Sequence, residues 1–198
     1  MSKSIKRWLL SDLLCQASTT KRIAYIAVMS ALCVICNMFF EFKLADTQFS
    51  LTIFFSAFTG VLLGPVFGFM AAFLGDLVGF LYNSGGFMYM PWIGLSMGLT
   101  ATFAGLIMNA PIFKFKGAKY VKVALVCVAT FLLCTIAINT TAFLIIYNTR
   151  KVPFWAYLVT RMFVQGQIWN SLVNYALLFV AVPLFDKITK LLKKQNGF

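Results

Sequence analysis

The chain has 198 residues, 61% of them apolar and 11% charged, and a net charge of +12, with a mean hydropathy of +0.88. Soluble domains run at about 45–50% apolar and about 25% charged, so a water-soluble fold is excluded and an all-α integral membrane protein is expected. With no histidine and five acidic residues, the side chains for acid–base catalysis and metal ligation are nearly absent, and neither enzymatic chemistry nor a cofactor is expected.

Residues 1–20 form a basic N-terminal segment. Ser11 and Asp12 interrupt the apolar Trp8-Leu9-Leu10, which leaves the stretch too short for a signal-peptide core. It reads as an interfacial amphipathic helix with Trp8, Leu9, Leu13 and Leu14 on the lipid headgroups. The first spanning run, about 23–40, follows Lys21-Arg22. It carries a small-residue stripe of Ala24, Ala27, Ser30 and Ala31, which suits close packing within the bundle or a docking face for another membrane subunit. Cys33-Val-Ile-Cys36 has CxxC spacing, but it sits inside an apolar run, where cysteine acts as a small hydrophobe.

A polar stretch over 41–50 leads to a short apolar run, 51–63, closed by Gly64-Pro65. The third run, 65–82, places Gly75 and Gly79 on one face, where a neighbouring backbone can approach closely. A turn at Asn83-Ser84-Gly85-Gly86 leads to the fourth run, about 90–110. The fifth and sixth, about 121–147 and 154–184, exceed what a bilayer needs, so tilts or kinks are expected.

The basic residues cluster beside these runs: Lys3, Lys6, Arg7, Lys21 and Arg22; Lys114, Lys116, Lys119 and Lys122; Lys187, Lys190, Lys193 and Lys194. That is the pattern of cytoplasmic flanks facing anionic lipid, not of a nucleic-acid groove. The positive-inside rule then gives a six-transmembrane-helix bundle with both termini cytoplasmic. The expected organisation is an N-terminal segment 1–20, a membrane domain 21–187 and a basic cytoplasmic tail 188–198.

Polar residues at membrane depth mark pathways, pairs or pockets. Asp76 lies about 16 Å along the third helix at about 1.5 Å per residue, and Arg161 lies about two turns into the sixth. Asn139 falls at the same level, Gln165 stands at i+4 from Arg161, and Tyr82, Asn83, Tyr89 and Trp92 flank the adjoining turn. Together they would suit a planar, polar, ring-bearing solute: aromatic walls, an amide, a guanidinium, and an acid that accepts paired N–H donors. The same residues would also serve as a neutralising Asp–Arg pair, interhelical hydrogen bonds and an interfacial aromatic belt.

The segments Thr20-Lys-Arg-Ile-Ala-Tyr-Ile-Ala-Val-Met-Ser-Ala31, Gly60-Val-Leu-Leu-Gly-Pro-Val-Phe-Gly68 and Gly75-Asp-Leu-Val-Gly-Phe80 resemble those of the substrate-binding S components of energy-coupling factor (ECF) vitamin transporters. The folate branch is the nearest in Asp76-Leu77, Asn139-Thr140 and Arg161. The resemblance implies a multi-pass receptor in the bacterial plasma membrane that binds a vitamin from outside. It would dock, through Ala27 and Ala31, on a transmembrane coupling protein that works with two ATPase subunits. The chain itself holds no GxxxxGK[ST] phosphate loop. For a folate-like ligand the resemblance assigns Asp76 to paired N–H donors of a pterin and Arg161 to a carboxylate or ring oxygen, with 41–50 and 84–89 as outer gates. Riboflavin, thiamine and pantothenate stay open as ligands, as does a structural protein with no solute.

Overall fold

The computed structural model describes residues 10–11, 14–15, 17–44, 47–82, 88–110, 115, 117–147 and 151–195. Helix α1 spans Thr19–Phe39. Strands β1 (Glu41–Leu44) and β2 (Thr47–Ser50) pair antiparallel, with Glu41 opposite Ser50 and Leu44 opposite Thr47. Helices α2 (Thr52–Leu63), α3 (Pro65–Tyr82), α4 (Pro91–Asn109) and α5 (Ala118–Ala129) follow. A π-helical segment, Thr130–Thr140, carries α5 into α6 (Thr141–Tyr147). Helix α7 (Phe154–Val159) passes through a π turn, Thr160–Val164, to α8 (Gln167–Val180) and α9 (Val182–Gln195).

The protein is therefore a helical membrane bundle with one short hairpin in the polar stretch over 41–50. Among the described residues, α1, α3, α4 and the run Ala118–Ile146 are long and apolar enough to cross a membrane. The bent pair Gln167–Val180 and Val182–Leu191, angled by 48°, makes a fifth crossing if taken as one span. The sixth apolar run is thus not one helix. Gly166 adopts a left-handed φ of 69°, a conformation that glycine tolerates and that separates the π turn from α8. Helix α2, at 12 residues, is shorter than the roughly 20 residues of a perpendicular crossing.

Close backbone approach at small residues holds the bundle together. Helix α4 packs on both α2 and α3, and α3 packs on α1. As the glycine spacing predicts, a Cβ on Gly75 would lie 2.5 Å from Cys33 Cβ, and one on Gly79 would lie 2.7 Å from Asn37 Cβ. The apolar core gathers toward the basic end, where Met29, Phe58, Leu62, Leu63, Val126, Leu178 and Phe185 pack together. There Lys122 donates to the carbonyls of Met108 (3.1 Å) and Ala110 (2.5 Å), capping the C-terminus of α4. Lys119 pairs with Asp186 and ties α5 to α9.

Two N-terminal expectations meet the structure differently. Leu14 is fully buried in the core rather than lying on headgroups, because Ser11 Oγ donates to the Leu62 carbonyl and draws the segment against the end of α2. Trp8, Leu9 and Leu13 lie outside the described residues. Cys33 and Cys36 are free, buried thiols, and Cys33 Sγ lies 3.2 Å from Thr59 Oγ1.

Candidate functional site

Away from the packed core, the helices enclose a cavity of about 180 Å³, lined among others by Asn37, Asp76, Asn139, Phe143, Arg161 and Asn170. Asp76, on α3, is 9% exposed. Its Oδ1 accepts from Asn37 Nδ2 at 3.0 Å and its Oδ2 from the Tyr89 hydroxyl at 3.2 Å. Glycine makes both contacts possible: Gly79 lets α1 bring Asn37 in, and a Cβ on Gly94 would collide with the Tyr89 hydroxyl. Tyr89 lies in the connection before α4, and burial first, then the neighbouring Asp76 carboxylate, pushes its pKa above the ordinary tyrosine value, so it stays protonated as a donor. A carboxylate offers about four lone-pair positions, so each Asp76 oxygen keeps capacity for another donor.

Arg161, on the π turn after α7, faces the same cavity without an ion pair to Asp76. Its guanidinium lies over the Phe143 ring, 4.1 Å from the centroid, a cation–π arrangement. Trp92 stands edge-on to Phe143 with centroids 5.9 Å apart. Three buried polar atoms have no hydrogen-bond partner among the described residues: Arg161 Nε, Asn139 Oδ1 and Trp92 Nε1. Buried polar groups are almost always paired, and the two of these that belong to cavity-lining residues, on Asn139 and Arg161, are what a polar ligand would satisfy.

The deeper wall is made of hydroxyls. Thr100 Oγ1 donates to the Ser96 carbonyl at 2.9 Å, Ser96 Oγ to the Cys134 carbonyl at 3.2 Å, and Thr130 Oγ1 to the Val126 carbonyl at 2.8 Å. With the Thr130 proton so committed, the Tyr175 hydroxyl donates to Thr130 Oγ1 at 3.2 Å. The π-helical segment lines this wall and the one above it with Thr130, Cys134, Thr135 and Asn139. π turns recur at functional sites.

The structure thus brings Asp76, Tyr89, Trp92, Asn139 and Arg161 to one region. Tyr82 is 75% exposed; six residues beyond Asp76 at about 100° each, it points from a different face of α3. Gln165 is also exposed. Its amide bonds the Thr160 carbonyl, five residues back, at 3.0 Å, and that π-turn geometry defeats the i, i+4 alignment with Arg161. Gln167 lines the cavity instead. Asn83 lies outside the described residues. Ala27 and Ala31 are exposed on α1, remote from the cavity lining.

The family profile of the ECF-type riboflavin transporter S component matches residues 17–190. The chain belongs to this family. It is accordingly the membrane-embedded, vitamin-binding subunit of an ECF-type importer and not an enzyme. Among solved structures it is similar to the crystal structure of FolT bound with folic acid, at a TM-score of 0.64 and 21% identity, over 85% of this chain and 96% of that one. That likeness shows a shared fold. No curated protein matches the chain.

Proposed function

We propose that this S component binds folate or a folate-like pterin with high affinity. The carrying observation is the buried Asp76 carboxylate, held by Asn37 and Tyr89 and without a cationic partner among the described residues. A buried anion requires compensation, and two adjacent N–H donors on a planar ring supply it in bidentate form. A 2-amino-4-oxopyrimidine edge, as in a pterin, presents such a pair. Arg161 provides the opposite charge for a ligand carboxylate, and Trp92 and Phe143 provide ring faces.

Riboflavin is the second reading, favoured by the name of the matching family and by the hydroxyl wall of Ser96, Thr100 and Thr130, which would suit a polyol chain. Its isoalloxazine, however, presents one ring N–H between two carbonyls, a poor match for a carboxylate, and it bears no carboxylate for Arg161.

In this reading the broken segment from Phe154 to Val180 and the short α2 complete a six-crossing bundle over 21–187 with both termini cytoplasmic. The exposed Ala27 and Ala31 dock on a transmembrane coupling protein that works with two ATPase subunits. The tail beyond 187 stays on the basic, cytoplasmic side, and residues 41–50 and 84–89 serve as the outer gates.

The test is native mass spectrometry of the protein purified from rich medium, followed by tryptophan-fluorescence titration with folic acid, riboflavin, thiamine and pantothenate. A stoichiometric folate adduct, with quenching weakened about 100-fold or more in Asp76→Asn or Arg161→Ala, is expected. That loss corresponds to about 3 kcal/mol, the scale of a charge-assisted hydrogen bond. Tight riboflavin binding that tolerates Arg161→Ala would replace the folate reading.

A further inference from the structure

Two amides on α8 remain outside the recognition chemistry of Asp76 and Arg161. Asn170 Oδ1 accepts the Ser50 amide at 3.0 Å, and Asn174 Oδ1 accepts the Phe54 amide at 2.9 Å. Asn174 Nδ2 donates to the carbonyls of Ser50 (2.7 Å) and Asn170 (2.8 Å), and to Asn170 Oδ1 at 3.2 Å. Asn174 is completely buried. Closer to hand, Ser50 Oγ accepts the Thr52 amide at 3.2 Å.

Of the backbone groups so bound, the Thr52 and Phe54 amides are among those that a helix leaves open at its N-terminus. Helix α2 begins at Thr52 without a capping side chain at Leu51, and Asn174 supplies that acceptor from a site 120 residues away in the chain. The same stretch is the root of the β1–β2 hairpin, since β2 ends at Ser50. Ser50, Thr52, Ile53 and Asn170 all line the cavity, whereas Asn174 does not. The position of the hairpin root at the cavity is thus set by α8, through bonds that a ligand need not touch.

We infer that Asn170 and Asn174 are positioning residues for ligand retention, a clamp that fixes the hairpin root against α8 and so sets how fast a bound vitamin leaves. Asn174 acts wholly through its neighbours. Asn170 belongs to both the clamp and the cavity wall, which makes it the joint through which occupancy of the cavity and placement of the hairpin influence one another. The clamp rests on the reading that this cavity holds the vitamin.

The decisive variant is Asn174→Asp. It keeps the shape and the acceptor for the Phe54 amide but replaces the donor that faces the Ser50 carbonyl; Asn170→Ala is the second variant and decides alone if the first does not fold. Hydrogen exchange over 41–54 is measured without ligand, and association and dissociation rates are measured with folic acid and with riboflavin. The clamp predicts faster exchange over 41–54 in both variants. It also predicts dissociation about tenfold faster, the effect of losing about one net hydrogen bond, with the association rate and the ranking of the two ligands unchanged for Asn174→Asp. Wild-type exchange over 41–54 in both variants overturns the clamp, as does faster exchange with an unchanged dissociation rate. If neither vitamin binds the wild-type protein, the ligand reading fails, and the exchange data still decide whether the hairpin root is held from α8.

Discussion

Tyr89 donates its hydroxyl to Asp76 at 3.2 Å across the bare backbone of Gly94. The acid, its donor and the space between them come from three separate stretches of chain, so Gly94 belongs to the site without offering it a functional group. Gly94→Ala would push the Tyr89 hydroxyl off the carboxylate. It is expected to reproduce the effect of Tyr89→Phe, a fall in folate affinity of about tenfold, the scale of one net hydrogen bond. Fluorescence titration of both variants, with thermal unfolding as control, checks this; an unaltered affinity in Gly94→Ala would remove Tyr89 from the site.

Arg161 should distinguish ligands by charge. Its guanidinium is held over Phe143 with Nε unpaired among the described residues, so Arg161→Ala is expected to weaken folic acid far more than a carboxylate-free pterin such as 6-hydroxymethylpterin. The difference between the two losses, roughly 2 kcal/mol for one charge-assisted contact, is read from parallel titrations. Equal losses would mean that Arg161 supports the cavity wall and does not meet the ligand.

The α1–α3 seam separates stability from binding. A methyl at Gly75 would meet the Cβ and backbone of Cys33, whereas one at Gly79 would meet mainly the side chain of Asn37. Gly75→Ala is expected to destabilise the bundle by about 1–3 kcal/mol, as overpacking does, with a clear drop in Tm in detergent. Gly79→Ala should lower Tm less but cost affinity, because the side chain that yields is the one holding Asp76 Oδ1.

Ala27 and Ala31 are exposed on α1 and stand apart from the cavity lining. Bulky replacements, Ala27→Trp and Ala31→Trp, are expected to leave vitamin binding to the isolated protein within about twofold, since surface changes stay within about ±0.5 kcal/mol. The same variants should abolish uptake in cells that carry the coupling module. Retained uptake would place the docking face elsewhere.

Much of this site can be read in the sequence, and what cannot has identifiable physical causes. Asp76, Asn139 and Arg161 stand out because charge and amide are costly at membrane depth, and the Gly75–Gly79 spacing announces the helix contact that forms there. Asn37 carries the same kind of signal, a lone amide in an apolar run, yet its importance comes only from lying opposite Gly79. The hydroxyls of Thr100 and Thr130 are silent in sequence because serine and threonine can satisfy themselves on the preceding turn of their own helix. Gln165 misleads because its alignment with Arg161 assumes α-helical periodicity, which the π turn and Gly166 break. The hairpin over 41–50 is equally hidden, since its anchor is a pair of amides far along the chain.

The π-helical segment from Thr130 to Thr140 makes winding itself a determinant of what the cavity recognises. In an ordinary α-helix each residue turns the chain by about 100°, so regular winding from Thr130 would leave Asn139 about half a turn away, and the wider π winding is what lets both line the cavity. A change of winding in this stretch would therefore alter what the cavity presents while every polar side chain of the site is kept.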